Sequence, residues 1–406
     1  MQSKNFNLAQ EKLPYWINET LNELASQGKF LELSDFCEQV IQDYPNSSIV
    51  WNNLGNAYRQ LKKFAEASNA FTKLLALNPT LSDAHSNLGA TFQDISAFNI
   101  AIECYKTAIC LDSNNFNAHY NMGLALKSQG RYGDAITYFN RALVLKNDFV
   151  QAHCNLADAY RNEGRLPEAK EAYNRAFSIQ PDNVFAKHML DALKGNQTKS
   201  PPEQFVEQLF DQYAPTFDNE LVEKLRYNLP ATLGKLISNR EDGKVVNSVL
   251  DMGCGTGLLG TEIRGFCQKL EGVDISKQML QVAEHKNIYD KLTHKNIIDF
   301  LSEKELNYDY FVAADVFEYV GDLSEIFNLI VSKTQERVTL IFSTEHSETY
   351  EYRLENTGRY SHSKRYIEKL CCEFGYTLSH FEITKLRKEM NAFLNGGVYI
   401  LESKIA

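Results

Sequence analysis

Residues 245–259 read VVNSVLDMGCGTGLL, and the fold of the C-terminal half turns on them. The mostly apolar run Val245–Leu250 has strand length and ends in an acid, Asp251. Gly253, Gly255 and Gly257 then alternate through a turn that can pass close beneath a ligand and feed a helix amino terminus. A dinucleotide fingerprint starting at Gly253 needs glycine at 258, where Leu258 stands. The order here is acid-x-G-x-G-x-G. Downstream, LEGVD, YDYFVAAD and RVTLIFS read as strands, separated by helical stretches such as SKQMLQVAEHK and LSEIFNLIVSK. LSHFEIT and GGVYILES close as an antiparallel pair. Strand and helix in turn predict a mainly parallel α/β sheet with its ligand site at the carboxyl ends of the strands.

The chain has 406 residues, enough for two to three folding units, with 44% apolar and 23% charged residues, ordinary values for a globular protein. No stretch has the length of a membrane span, and Met1 to Trp16 lacks the pattern of a secretory signal, so no membrane association and a cytoplasmic address are expected. Eight cysteines without a C-x-x-C pair suggest reduced thiols and no metal site. The net charge of −10 falls almost wholly on residues 200–406, a poor match for nucleic acid.

The N-terminal half repeats every 34 residues from Ser48. Trp51, His85, His119 and His153 align; so do Leu54, Leu88, Met122 and Leu156, and Gly55, Gly89, Gly123 and Ala157. Ala67, Ala101, Ala135 and Ala169 form a further column, as do Phe71, Tyr105, Phe139 and Tyr173. This is tetratricopeptide spacing, two helices per unit with small residues at their crossing. Full units are expected from about 48, 82, 116 and 150, behind a degenerate unit at 14–47 and before a capping helix at 183–194. The three histidines share the column of Trp51, and neighbouring repeats lie too far apart to share a zinc ion, so they are read as packing residues. The units DAHSNLG, NAHYNMG and QAHCNLA resemble the repeats of O-linked N-acetylglucosamine transferases, where an asparagine ladder holds an extended peptide. That resemblance assigns Asn53, Asn87, Asn121 and Asn155 to a peptide or protein partner in the groove.

A polar run from Gly195 to Pro202 marks the boundary; 1–195 is read as the array, 196–230 as linker and lid helices, and 231–406 as the second domain. The acid-x-G-x-G-x-G order, with Asp274 ending the second strand, resembles class I S-adenosylmethionine-dependent methyltransferases. This implies an all-α repeat superhelix followed by a Rossmann-like methyltransferase domain with a C-terminal antiparallel hairpin. The resemblance is closer still to bacterial methyltransferases that carry tetratricopeptide repeats, through LFDQYAPTFDNELVEKLRYNLP, AADVFEYVGDL and GRYSHSKRYIEKL.

By that resemblance S-adenosylmethionine is the cofactor. Asp251 helps hold its methionine amino group; Gly253, Cys254, Gly255, Gly257 and Leu258 form the loop; Asp274 takes the ribose hydroxyls; Ile275 and Met279 follow in the pattern GVDISKQML. Asn296 and Ile297 fall near the adenine, with Asp299 as second choice and a plain helix cap as the bland reading; in the family position 296 is more often Asp. Asp315 ends the fourth strand, and Tyr213 with Phe217 belongs to a lid.

The D/N-P-P-Y/F tetrapeptide and the paired glutamates of arginine methyltransferases are absent. Acceptor-side candidates are Glu318, Arg359, Tyr360 and His362, with Glu345 or His346 as general base at a strand end. Arg387 and Glu389 read as a surface ion pair. Methyl transfer to an O or N acceptor follows, with the array recruiting a peptide or protein; the alternative is a small-molecule or glycan-intermediate acceptor, the array only docking a partner. Intact loop glycines and Asp274 argue against a degenerate scaffold.

Overall fold

The computed structural model describes residues 13–242, 244–303, 305–349, 351–389 and 392–403. They form two compact units, the first ending at Asn183 and the second beginning at Val184.

The first unit is a stack of helices: α1 (Tyr15–Ser26), α2 (Phe30–Asp43), α3 (Ser48–Gln60), α4 (Phe64–Leu77), α5 (Ser82–Asp94), α6 (Phe98–Leu111), α7 (Phe116–Ser128), α8 (Tyr132–Leu145), α9 (Val150–Asn162) and α10 (Leu166–Ile179). The repeat columns have a direct physical cause. A Cβ on Gly55, Gly89 or Gly123 would stand 2.6–2.7 Å from the ring of Phe71, Tyr105 or Phe139, which are fully buried. The helix pair closes only if one residue is small and the other large. The Trp/His column is a hydrogen-bonding column rather than simple packing. The Trp51 indole reaches the carbonyl of Pro45 at 2.8 Å, and His85, His119 and His153 reach the carbonyls of Pro79, Ser113 and Asn147 at 3.0, 3.1 and 3.0 Å. Each ring nitrogen ties down the loop six residues earlier.

The second unit opens with α11 (Val184–Lys194) and α12 (Glu203–Tyr213). Helix α11, expected as the cap of the array, groups here instead. His188 bonds the Gly358 carbonyl at 2.8 Å and packs on Phe205, and Ala192 joins Leu354 and Tyr360 in a small core. The polar run behind it is not a free tether: Gln197 donates to the Tyr352 carbonyl, and the Lys199 carbonyl accepts the Asp322 N–H. A short turn α13 (Phe217–Asn219), a π-helical turn to Lys224 and α14 (Leu229–Arg240) lead into the sheet.

Its strands are β1 (Val246–Met252), β2 (Cys267–Asp274), β3 (Lys291–His294), β4 (Tyr310–Ala313), β5 (Thr339–His346), β6 (Tyr352–Leu354), β7 (Tyr360–His362), β8 (Tyr376–Glu389) and β9 (Ala392–Ser403). Between them lie α15 (Leu258–Ile263), α16 (Lys277–His285), α17 (Ile297–Glu303), α18 (Ser324–Lys333) and α19 (Lys364–Phe374). Strands β3-β2-β1-β4-β5 run parallel, β9 pairs antiparallel with β5, and β8 with β9. The fold is the expected one: a helical repeat region, then a mainly parallel α/β domain closed by an antiparallel hairpin. The small hairpin β6–β7 was not anticipated; β7 pairs with the last residues of β5, Glu345 and His346.

Candidate active site

At the carboxyl ends of β1, β2 and β4 lies a cavity of about 560 Å³, where an open parallel sheet puts its ligand. Asp251, Gly253, Cys254, Gly255, Thr256 and Leu258 line one side. The N–H groups of Gly253 and Cys254 both bond the Val273 carbonyl, at 2.8 and 3.1 Å, folding the loop over β2. Gly253 has φ +69°, and a Cβ there would strike Val316 at 2.6 Å. Gly257, at φ +87°, starts α15 and supports the loop without lining the cavity.

Two buried carboxylates stand at this end. Tyr289 donates to Asp251 at 2.7 Å, yet burial, with the Asp274 charge adding to it, lifts Asp251 to about 7. Asp274 accepts the Gly255 N–H and the Ser276 N–H, each at 2.8 Å. Burial outweighs these bonds and raises it to about 6. Burial also holds the Cys254 thiol well above its ordinary range. Ile275, Ile297 and Ile298 form an apolar slot beyond the loop, with Asn296 beside it. Asn296 both lines the cavity and caps α17, its amide oxygen taking the Ile298 N–H at 2.9 Å; Asp299 is exposed and points elsewhere. Met279 is buried in α16 and does not line the cavity, a correction to its expected place; its N–H is held by the Ser276 hydroxyl, a capping role.

The segment before β1 forms the opposite wall. Phe210, Tyr213 and Phe217 line the cavity, with Phe210 edge-on to Phe217 and Tyr319. Two acids unremarked in the sequence clamp this wall. Asp211 accepts the Ser276 hydroxyl at 2.6 Å, and Asp218 accepts the Thr256 hydroxyl and the Lys286 ammonium.

The far end is a buried charge cluster. Arg387 is 7% exposed, so it is not the surface residue expected; the side chain of Glu389 lies outside the described residues. One guanidinium nitrogen of Arg387 contacts Asp315 and, at 3.0 Å, Glu318; the other contacts Glu345 at 3.0 Å. Arg359 also pairs with Glu345. Asp315 holds this position at φ +58°, a backbone conformation costly to a non-glycine residue, with its N–H on the Ser343 hydroxyl. Asp315, Glu318, Tyr319, Arg359 and Arg387 line the cavity.

The general base expected among Glu345 and His346 is corrected. Glu345 stands behind the two arginines and does not line the cavity; His346 faces Phe381 and Glu348. Tyr360 and His362 are likewise no acceptor-side residues. They belong to β7 in the core, Tyr360 bonded to Thr198 and His362 to the Gly321 carbonyl at 2.9 Å. Burial drives the His362 imidazole down to about 4, so it stays neutral. In the array, Asn87 donates to Asn52 at 3.2 Å, Asn155 donates to Tyr120 at 3.1 Å and accepts from Lys127 at 2.7 Å, and Asn53 bonds its own helix.

Comparisons with known proteins agree with this division. A family model described as a methyltransferase domain matches residues 217–381. Tetratricopeptide repeat models match 48–81 and 150–183, and TPR repeat models 97–130 and 123–164. The malonyl-[acyl-carrier protein] O-methyltransferase of Halalkalibacterium halodurans is 32% identical over 157 residues, 36% of this chain and 57% of that protein. Methyltransferase-like protein 27 of Homo sapiens is 36% identical over 87 residues, 21% of this chain and 35% of that protein. The crystal structure of magnesium protoporphyrin IX methyltransferase from Synechocystis PCC 6803 with bound SAH covers 50% of this chain and 99% of its own, at 16% identity and a TM-score of 0.40. The chain spans little more than half the length of the first of these curated relatives. It carries a methyltransferase domain together with tetratricopeptide repeats, and S-adenosylmethionine is the cofactor of such a domain. The residues lining the cavity fit that cofactor: the Asp251 carboxylate suits its cationic end and the isoleucine slot suits a flat ring, while Asp274 is buried beneath the loop and does not itself line the cavity.

Proposed function

We propose that the chain is an S-adenosylmethionine-dependent methyltransferase acting on an oxygen or nitrogen acceptor, with the array recruiting the peptide or protein that is, or carries, that acceptor. The observation that carries this reading is one cavity with two chemically distinct ends: the Asp251 and glycine-loop end, and the Asp315–Glu318–Arg387 end. In the proposal Asp251 faces the amino group, Asp274 the ribose hydroxyls, Asn296 and Ile297 the adenine, and Tyr213 covers the donor. The cofactor supplies a methyl group on a sulfonium, already activated for displacement. The chain therefore orients, excludes water and removes a proton. The name of the curated relative puts its acceptor on a carrier protein, which supports a protein-borne acceptor here but not the same accepting group, since the free oxygens of a malonyl thioester are those of a carboxylate. No helix among the described residues is long and apolar enough to cross a membrane, and the free thiols of all eight cysteines suit the proposed cytoplasmic address.

A second reading, a small acceptor with the array docking only a partner, draws support from the asparagines whose amides already bond neighbouring repeats. Titration calorimetry of the full chain with S-adenosylmethionine tests the cofactor, and the double variant Asn87→Ala with Asn121→Ala separates the two readings. With peptide recruitment the cofactor Kd stays put while labelling of a macromolecular acceptor falls about tenfold to thirtyfold, at about 1 kcal/mol per lost bond. An unchanged rate on a small acceptor would overturn recruitment.

A further inference from the structure

We infer that Glu318 takes the proton of the methyl acceptor, and that the acceptor is accordingly a hydroxyl or an amine rather than a carboxylate; this rests on the methyltransferase reading above. Glu318 sits in the turn that follows β4 and is 1% exposed. Its Oε1 accepts from Arg387 at 3.0 Å, while its Oε2 is buried without a hydrogen-bond partner, and the residue lines the cavity. A buried oxygen left open at a ligand cavity calls for a partner, and an acceptor X–H supplies one.

The groups facing Glu318 are Asp315, Arg387, Glu345, Arg359 and the phenols of Tyr319 and Tyr227. Two guanidiniums stand against three carboxylates. Arg387 shares a single nitrogen between Asp315 and Glu318. Asp315 also has an open oxygen, Oδ1, with its Oδ2 on the same Arg387 nitrogen. Burial first, then the Asp315 charge, push Glu318 well above the usual carboxyl range. A carboxyl so placed holds a proton readily. An acceptor carboxylate would meet two guanidiniums already engaged and would add a buried negative charge, and it has no proton to give up.

In the step, the acceptor's lone pair forms the bond to the methyl carbon as the carbon–sulfur bond breaks, its electron pair staying on sulfur. The acceptor proton passes to Oε2 of Glu318 and from there to solvent.

The test uses the full chain, methyl-tritiated S-adenosylmethionine and a cell extract as acceptor source. Label should survive alkali, as ethers and N-methyl groups do; release as methanol, the mark of a methyl ester, would overturn the acceptor class. Glu318→Gln should keep the cofactor Kd within about twofold yet lower incorporation about 100-fold, in the range set by a positioned base. Infrared difference spectra, wild type minus E318Q, should show a protonated carboxyl band that fades as pH rises, over and above the bands that the two chains share. Incorporation should climb over the same pH range, since the ionised form is the base. E318Q that transfers label at wild-type rate, or a difference spectrum without that band, would overturn the assignment. A wild-type chain that fails to bind the cofactor in the calorimeter would instead bring down the methyltransferase reading itself.

Discussion

Arg387→Met is expected to cost the second unit about 3–5 kcal/mol, the scale for removing one partner from a buried ionic cluster, which is a fifth or more of a typical domain's total of about 5–15 kcal/mol. Methionine fills similar volume, so the loss is electrostatic. Asp315, Glu318 and Glu345 would lose the guanidinium that touches all three, and Arg359 would keep its pair with Glu345. The sign of the pH dependence follows. Buried carboxyls without a cation have folded-state pKa values raised above their unfolded values near 4. The variant is then most stable in acid and loses stability as pH climbs through and beyond that range. Thermal unfolding of wild type and variant between pH 4 and 8 should show the gap widening with pH. A pH-independent gap would mean that packing, not charge, is what Arg387 contributes.

That arginine also shows where sequence reading stops. The repeat columns, the glycine loop and the order of strand and helix are periodic or local signals, and each folds where its period places it. Arg387 lies in a 14-residue strand, where alternation would send Leu386 and Arg387 to opposite faces. Irregular pairing with β9 between Lys385 and Arg387 breaks that alternation, and both side chains are buried. No residue type in the stretch announces the bulge. His346, Tyr360 and His362 fail as site residues for a related reason: the hairpin β6–β7 adds itself to the end of β5 and covers what looks in sequence like an open strand end. Asp211 and Asp218 read as ordinary polar positions on amphipathic helices, and only the tertiary fold brings them to Ser276 and Thr256. Glu318 was legible because it follows a strand end, but its open oxygen depends on a partner 69 residues away.

Asp274→Asn is expected to weaken S-adenosylmethionine binding at least 100-fold at pH 7.5. Two ribose hydroxyls bonded to a charged carboxylate account for about 1.5–3 kcal/mol each, and every 1.4 kcal/mol is about tenfold. The amide also keeps only one acceptor oxygen for the Gly255 and Ser276 N–H groups, so the loop loses part of its support. The wild-type affinity should itself depend on pH, because both cofactor-end carboxyls sit high before any ligand arrives, Asp251 at about 7 and Asp274 at about 6. A cationic amino group binds the ionised Asp251, so below about pH 7 the site must first shed a proton. The Kd then rises about tenfold per unit as pH falls, and more steeply below about 6, where Asp274 is protonated as well. Asp274→Asn should abolish the steeper limb and leave the first. Calorimetry in buffers of different ionisation enthalpy should detect proton release approaching one per cofactor bound near pH 6.5. A pH-flat Kd with no proton release would remove Asp251 from the amino-group role and leave its buried bond to Tyr289 as its whole contribution.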